Sequence, residues 1–203
     1  NQNGNGLWPS LPTGPSIELM GSKRYTEVIL DWPTASDCVG PQVQMHGLSE
    51  GGQSLKIPIG DMEYIWVEYR SDFGFDAYLP GNGILVLQQD LLAGNVEDNN
   101  INSHPERAWI KVIESDGEQN MVAGANEGES TDLFWDGQEF GYAGIEIRNR
   151  DGVLVDWKAK VSLVNNTPII TFESENCGHS VDIDLPNFGS LLTPEMNIPI
   201  EAS

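Results

Sequence analysis

A strand that is apolar on both faces, residues 63–69, constrains the fold of this chain more than any other feature. Its residues alternate so that Ile65 and Val67 lie on one side, and Tyr64 and Trp66 lie on the other. A half-exposed strand would carry polar residues on its solvent side, whereas a strand with two apolar faces belongs inside a core. The sequence therefore predicts that this strand is central and fully buried.

This strand opens an organising segment, residues 61–98, with the pattern strand, loop, turn, strand. Pro80 and Gly81 fit the two central positions of a type II turn, because Pro fixes φ and Gly accepts the positive φ. Residues 84–87 then form a second buried strand, which ends at the polar residues 88–90. We expect these two strands to be neighbours in the core.

The remaining strand candidates are short and are separated by long loops. They are residues 25–30 (a strand or a remnant of a helix), 55–59, 109–114, 145–147, 153–163, 169–172 and 181–185. Strict alternation makes 153–163 the clearest half-buried strand, and Pro58 marks 55–59 as an edge strand. No convincing amphipathic helix accompanies them. We predict an all-β, antiparallel, jelly-roll-like β-sandwich with long loops.

The domain organisation follows from the same pattern. Residues 1–20 are rich in Gly and Pro and read as an irregular N-terminal segment. Residues 21–185 form the β-sandwich, and residues 186–203 form an extended C-terminal tail. The chain begins at Asn1 without Met and shows no signal peptide, so we expect a mature or excised piece of a longer precursor.

The charge balance excludes two classes of partner. Asp and Glu total 31 against 10 Lys and Arg, which gives a formal net charge of -21. Phosphate backbones and anionic membranes require clustered cations, so we expect no nucleic-acid or membrane partner. Most of these carboxylates serve solubility, and a smaller set is available to bind Ca²⁺.

The loop that follows the second central strand contains the candidate metal ligands. The candidates are Asp90, Glu97, Asp98, Asn100 and Asn102, with Asn99 between them. Ca²⁺ takes six to eight oxygen ligands in irregular geometry, so this loop suits it, although no EF-hand spacing is present. The alternative is a loop whose Asn and Asp side chains cap turns through their own backbone. Both interpretations remain open on the sequence.

Catalytic patterns are missing from the sequence. A zinc peptidase needs the motif His-Glu-x-x-His, but His46, His104 and His179 are isolated. No Gly-x-Ser-x-Gly motif of a serine hydrolase is present. A pair of carboxylates, as in a glycosidase, is not informative in a chain with so many acidic residues. We therefore predict that this chain is not an enzyme and holds no zinc site.

The aromatic residues raise a second function, because exposed rings can stack on sugars. Trp66 and Trp157 lie in strong alternation and are expected in the core. Trp135, beside Asp136 and Gly137, is the best candidate for an exposed ring. This feature keeps a carbohydrate-binding module under consideration.

An ordered series of short motifs resembles the M6 (immune-inhibitor-A-like) secreted metallopeptidases, in the region after their catalytic domain. The motifs are Glu68-Tyr69-Arg70, Gly74-Phe75-Asp76, Leu79-Pro80-Gly81-Asn82-Gly83, the run 84–87, Asp90, 99–102, Pro105, 112–117 and Asp132-Leu133-Phe134. Upstream, Leu30-Asp31-Trp32 resembles the end of the family's catalytic domain. Gln88-Gln89 stands where the family usually has an aromatic-His pair.

The resemblance implies a function, a location and a disulfide. It implies a non-catalytic accessory β domain of a secreted or cell-surface protein. Such a domain would pack on the peptidase domain of its precursor, or bind an extracellular protein or glycan, with possible Ca²⁺ support. Secretion favours a bond between Cys38 and Cys177 over two buried thiols. The alternative function is a carbohydrate-binding or adhesive β-sandwich module, and a hydrolase ranks third.

Overall fold

The computed structural model describes residues 9–30, 38–94, 102 and 107–175. These residues form ten strands in two five-stranded sheets and one short α-helix. The front sheet has the order β1 (Tyr25–Glu27), β3 (Ser54–Gly60), β4 (Glu63–Arg70), β5 (Gly83–Asp90), β6 (Ile110–Ile113). The back sheet has the order β2 (Val39–Gln44), β10 (Thr167–Ser174), β9 (Trp157–Val164), β7 (Glu139–Gly141), β8 (Ile145–Glu146). The predicted all-β, sandwich-like fold is confirmed.

The two sheets are mixed, so the prediction of purely antiparallel pairing was wrong in two places. β1 pairs with β3 in parallel, and β7 pairs with β8 in parallel. Parallel neighbours require a connection that returns to the starting end of the sheet. Between β1 and β3 the chain crosses to the back sheet and forms β2, which supplies this return.

The main core lies between the sheets and contains the aromatic side chain that the sequence placed there. Trp157 is 3% exposed and lies edge-on to Phe140 and Phe172, with ring centroids 6.3 and 5.8 Å apart. The strand predicted over 153–163 begins only at Trp157, and Val153 is 60% exposed. The residues before β9 instead pair locally with Arg148 across the turn 149–152. Val155 is still 7% exposed and belongs to the core, so the predicted alternation fails at Val153 but holds at Val155.

The front sheet has a second buried face, as the two-sided apolar pattern predicts. Trp66 points away from the back sheet and is fully buried. Residues 9–20 cover this outer face, and we call them the N-terminal cover. They include helix α1 (Gly14–Leu19), although the sequence predicted an irregular segment. Pro15 fits the first helical turn, and so short a helix depends on packing, here through buried Ile17.

The turn before β5 differs from the predicted type II turn, because Gly81 is not among the described residues with positive φ. A Cβ at Gly81 would lie 2.7 Å from the Ser130 Cβ. Glycine is therefore required here for close approach to the loop before Phe134. The prediction that 55–59 is an edge strand was wrong, because β3 lies between β1 and β4. Pro58 lies beyond the part of β3 that pairs with β1, so its missing N–H costs no hydrogen bond to that neighbour.

The predicted disulfide falls partly outside the described residues, because Cys177 and the remainder of 176–203 are not described. The Cys38 carbonyl accepts a hydrogen bond from the Ser174 N–H at 3.1 Å. Ser174 precedes Cys177 by three positions, so the chain approaches Cys38 just before the second cysteine. The bond stays a prediction. The predicted strand 181–185 and tail 186–203 also lie outside the described residues.

Candidate functional site

A buried ion cluster lies on the outer face of the front sheet, beneath the N-terminal cover. Glu68 and Arg70 project from β4, and Asp76 follows in the connection to β5; all three are almost fully buried. Arg70 Nη2 lies 2.6 Å from Glu68 Oε2, and Arg70 Nη1 lies 3.3 Å from Asp76 Oδ1. One guanidinium is therefore balanced by two carboxylates.

The ion cluster holds the N-terminal cover through backbone groups. The Gly14 N–H donates to Glu68, and the Leu11 N–H donates to Asp76 Oδ1 at 3.1 Å. Arg70 Nη1 donates to the Leu11 carbonyl at 3.0 Å. A Cβ at Gly14 would lie 2.6 Å from Ser54 Oγ, so only glycine allows this contact. Burial raises the pKa of Glu68, although the neighbouring Arg70 charge and the Gly14 N–H act in the opposite direction.

A cavity of about 260 Å³ lies beside this cluster. Arg70 lines it, and Arg70 Nε has no hydrogen-bond partner among the described residues. The walls are largely aliphatic and come from the cover, β5, β6 and two loops. They include Leu11, Leu79, Pro80, Leu85, Leu87, Val112, Met121 and Leu133. An apolar cavity with one unsatisfied buried donor is a typical ligand-binding arrangement.

A second cavity of about 450 Å³ adjoins the first, with Thr13, Leu87, Val112 and Met121 in both walls. It extends past Ile110 along the edge strand β6. We call the two cavities together the outer groove. It exists because the cover shields β4 but leaves the apolar outer faces of β5 and β6 partly open. We regard this groove as the candidate functional site.

Carboxylates surround one end of the outer groove. Glu127 and Glu129 are exposed on its rim, and Asp132 is buried in its wall. Burial raises the pKa of Asp132, and the nearby charges of Asp116, Glu129 and Glu118 raise it further, against the Glu129 N–H that lowers it. This end of the groove therefore favours a cation.

Three of the carboxylates near this end form a compact trio. One ligand oxygen each of Glu114, Asp116 and Asp132 lies within 4.8 Å of the others. The Glu114 oxygens already accept the N–H groups of Asn120 and Met121, at 2.7 and 2.9 Å. The trio therefore fixes the loop that bears Met121. Its remaining oxygens are of the hard type that Ca²⁺ prefers.

The predicted calcium loop is described only at its two ends. Asp90 is buried, with Oδ1 2.9 Å from Arg150 Nη1 and Oδ2 3.4 Å from Arg107 Nε. Asn102 Oδ1 accepts the Ile110 N–H at 2.9 Å. Glu97, Asp98 and Asn100 lie outside the described residues. The structure thus shows protein partners for Asp90 and Asn102, and calcium binding by this loop stays a prediction.

Exposed aromatic residues occur in the β4–β5 connection rather than at Trp135. Phe73 and Phe75 are each 60% exposed, and Tyr78 is 41% exposed. Trp135 is half-buried, with its ring centroid 6.4 Å from that of Tyr69. The sequence reasoning missed Phe73 and Phe75, although their position between a buried strand and a Pro-Gly turn was an available signal.

Sequence reasoning also missed the ion cluster and the groove. The sequence predicted a fully buried strand at residues 63–69 but assigned no partners to the charged Glu68 beside its core residues or to Arg70 at its end. Their burial depends on a cover more than fifty positions earlier in the chain, for which periodicity gives no signal.

No helix in the described part of the chain is long and apolar enough to cross a membrane. No family model matches this chain, and no curated protein or solved structure matches it either. The resemblance to the M6 peptidases therefore stays an expectation from the sequence motifs, and the geometry carries the functional argument.

Proposed function

We propose that this chain is a non-catalytic β-sandwich module that binds a polypeptide partner along the outer groove. The observation that carries the proposal is the partly open apolar face of β5 and β6, which lines two adjoining cavities beneath the N-terminal cover. A core face normally excludes water completely, whereas exposed apolar surface with a polar rim marks an interaction site. Two adjoining cavities along β5 and β6 suit an extended chain better than a compact solute.

The sequence motifs suggest which proteins could be the partner. The resemblance to M6 peptidases makes the peptidase domain of the same precursor the first choice, and another extracellular protein the second. In this proposal the module is secreted or displayed at the cell surface and performs no catalysis itself. Its fixed β framework presents the groove to the partner.

Peptide display with the purified chain tests the proposal. The groove variant is Met121→Asp, which places a charge on a half-buried wall of the groove outside the main core. The matched control is Val164→Asp, at an exposed end of β9. We expect wild type and the control to enrich common peptides that the groove variant does not bind. Enrichment that is equal for all three proteins, or no enrichment at all, contradicts the proposal.

Glycan binding is the second candidate, and one observation favours it: Phe73, Phe75 and Tyr78 are exposed within six positions. Rings on one loop can stack on sugar faces. Affinity electrophoresis in soluble polysaccharides tests this function with Phe75→Ala, against Val164→Ala as an exposed control. Retardation that Phe75→Ala removes supports glycan binding, and unretarded wild type argues against it.

A further inference from the structure

We propose that the outer groove is specific for an extended basic peptide. An aliphatic side chain of this peptide fills the cavity beside Arg70, and a Lys or Arg faces Glu127 and Glu129. This inference rests on the proposed function and adds the chemistry of the partner. Three independent features of the groove lead to it.

The first feature is the balanced charge of the ion cluster. Arg70 is buried, and its charge is already balanced by Glu68 and Asp76. An anionic ligand in the adjoining cavity would add a third negative charge to a site that water does not solvate, which is costly. A neutral aliphatic side chain fills the cavity without this cost.

The second feature is the shape and lining of the cavity. Leu79, Leu85 and Leu133 contribute aliphatic walls, and the volume is about 260 Å³. This space suits one branched aliphatic side chain rather than a large cofactor. Burying such a side chain contributes roughly 1.5–3 kcal/mol.

The third feature is the charge at the rim. Glu127 and Glu129 are exposed there and form no ion pair among the described residues, with Asp132 behind them. The whole chain carries a net charge of -21, so its field attracts cations and repels acidic peptides. Charge complementarity of this kind selects partners more than it adds affinity. A basic residue next to the aliphatic anchor matches both features.

Binding of four synthetic peptides to the full chain, followed by fluorescence anisotropy, tests the inference. The parent probe is an acetylated, amidated, fluorescein-labelled octapeptide of Gly and Ser with a central Leu-Lys-Leu-Lys. The matched probes replace both Lys by Glu, both Lys by Gln, or both Leu by Ser. We expect binding of the parent, weaker binding of the Gln probe, and no measurable binding of the Glu and Ser probes.

A double variant, Glu127→Gln with Glu129→Gln, isolates the rim. Two exposed charge pairs at up to about 1 kcal/mol each predict roughly five- to thirtyfold weaker binding of the parent probe. Binding of the Gln probe should not change. Equal affinity of the double variant and wild type for the parent overturns the assignment of the cation to this rim.

The Nε–H signal of Arg70 in a ¹H–¹⁵N spectrum reports occupancy of the adjoining cavity without a substitution in the buried cluster. We expect this signal to move during titration with the parent peptide, because the peptide fills the cavity that Arg70 lines, while the Nε–H signal of exposed Arg148 stays in place. An unmoved Arg70 signal at saturation overturns the assignment of the aliphatic side chain to this cavity.

The outcomes separate this inference from the proposed function. If neutral or acidic peptides bind better than the parent, and Met121→Asp abolishes that binding, the groove is a peptide site but its basic specificity is wrong. If no peptide from display or synthesis binds in a Met121-dependent manner, both proposals fail together.

Discussion

Arg70 shows how one residue organises the outer face of the front sheet. It is bonded to two buried carboxylates and to the backbone carbonyl of Leu11 in the cover. Arg70→Ala would leave Glu68 and Asp76 buried without a cation, which costs about 3–5 kcal/mol of unfolding free energy. Urea denaturation measures this change.

The control is Arg148→Ala, which breaks a solvent-exposed pair with Glu146 at 2.7 Å. Such pairs contribute about 0–1 kcal/mol, so its urea midpoint should stay near that of wild type. Equal midpoints for the two variants would show that the buried cluster is not essential for stability.

Asp132 gives the chain a pH dependence with a defined sign. Its folded pKa is raised by burial and by neighbouring carboxylates. The folded state therefore binds this proton more tightly than the unfolded chain, whose pKa is about 3.9. The contribution of Asp132 to stability is greatest below that value and is lost as pH rises from about 4 through the raised folded pKa.

Asp132→Asn removes this charge and keeps an oxygen that accepts the Glu129 N–H. We expect the variant to be more stable than wild type at pH 7 and to lose less stability between pH 4 and pH 7. Thermal melts across this range measure it, with Asp151→Asn at an exposed turn as the control. Parallel curves for wild type and Asp132→Asn would contradict the prediction.

At the scale of elements, β9 packs into the main core through the side chain of Trp157. Trp157 packs on Phe140 from β7 and on Phe172 from β10. Trp157→Ala should lower the unfolding free energy by about 3–5 kcal/mol, because it leaves a large cavity. Val164→Ala, at the exposed end of the same strand, should cost far less. Denaturant titrations compare the two variants. Similar midpoints would show that Trp157 contributes no more to the stability of the fold than Val164 does.

The loop after β5 is a second element with a testable property, namely calcium binding. Free Ca²⁺ about a hundredfold above Kd stabilises the folded state by roughly 2.7 kcal/mol. Melts in EGTA and in millimolar Ca²⁺ should therefore differ by several degrees. Asp98→Ala should remove this difference, whereas Asp116→Asn, in the trio, should not.

Two other outcomes would count against calcium binding by this loop. Identical wild-type melts in the two buffers would mean that Ca²⁺ does not stabilise the chain. A difference that disappears in Asp116→Asn and persists in Asp98→Ala would move the ion from the predicted loop to the trio.

At the scale of the whole molecule, the two cysteines would connect the start of β2 with the end of β10. Closing a loop of this length stabilises the fold by at most roughly 4–5 kcal/mol in the chain-entropy model. Alkylation of the denatured, unreduced chain should add no mass, and prior reduction should add two labels. Two labels without reduction would show that the cysteines are thiols.

The sequence by itself determined most of the strands and the residues that they contribute to the main core, but not β2 and β7. β4, β5, β6, β9 and β10 were all predictable, because side-chain alternation is a local property that each strand carries in its own residues. The same periodicity identified Trp66 and Trp157 as buried. The ligands of the predicted calcium loop were also chosen by residue type, which is a local property. Residue type alone does not show whether these side chains meet at one site.

The tertiary structure decided which polar groups are buried and where a partner can bind. Glu68, Arg70 and Asp76 become an interior cluster only because residues 9–20 fold over the front sheet. Gly81 is glycine because Ser130 approaches it, and the parallel pairing of β1 arises from a chain path through the other sheet. Each feature depends on segments that are distant along the chain. Local patterns carry no information about such contacts, because the free energy that fixes them arises only when the segments meet.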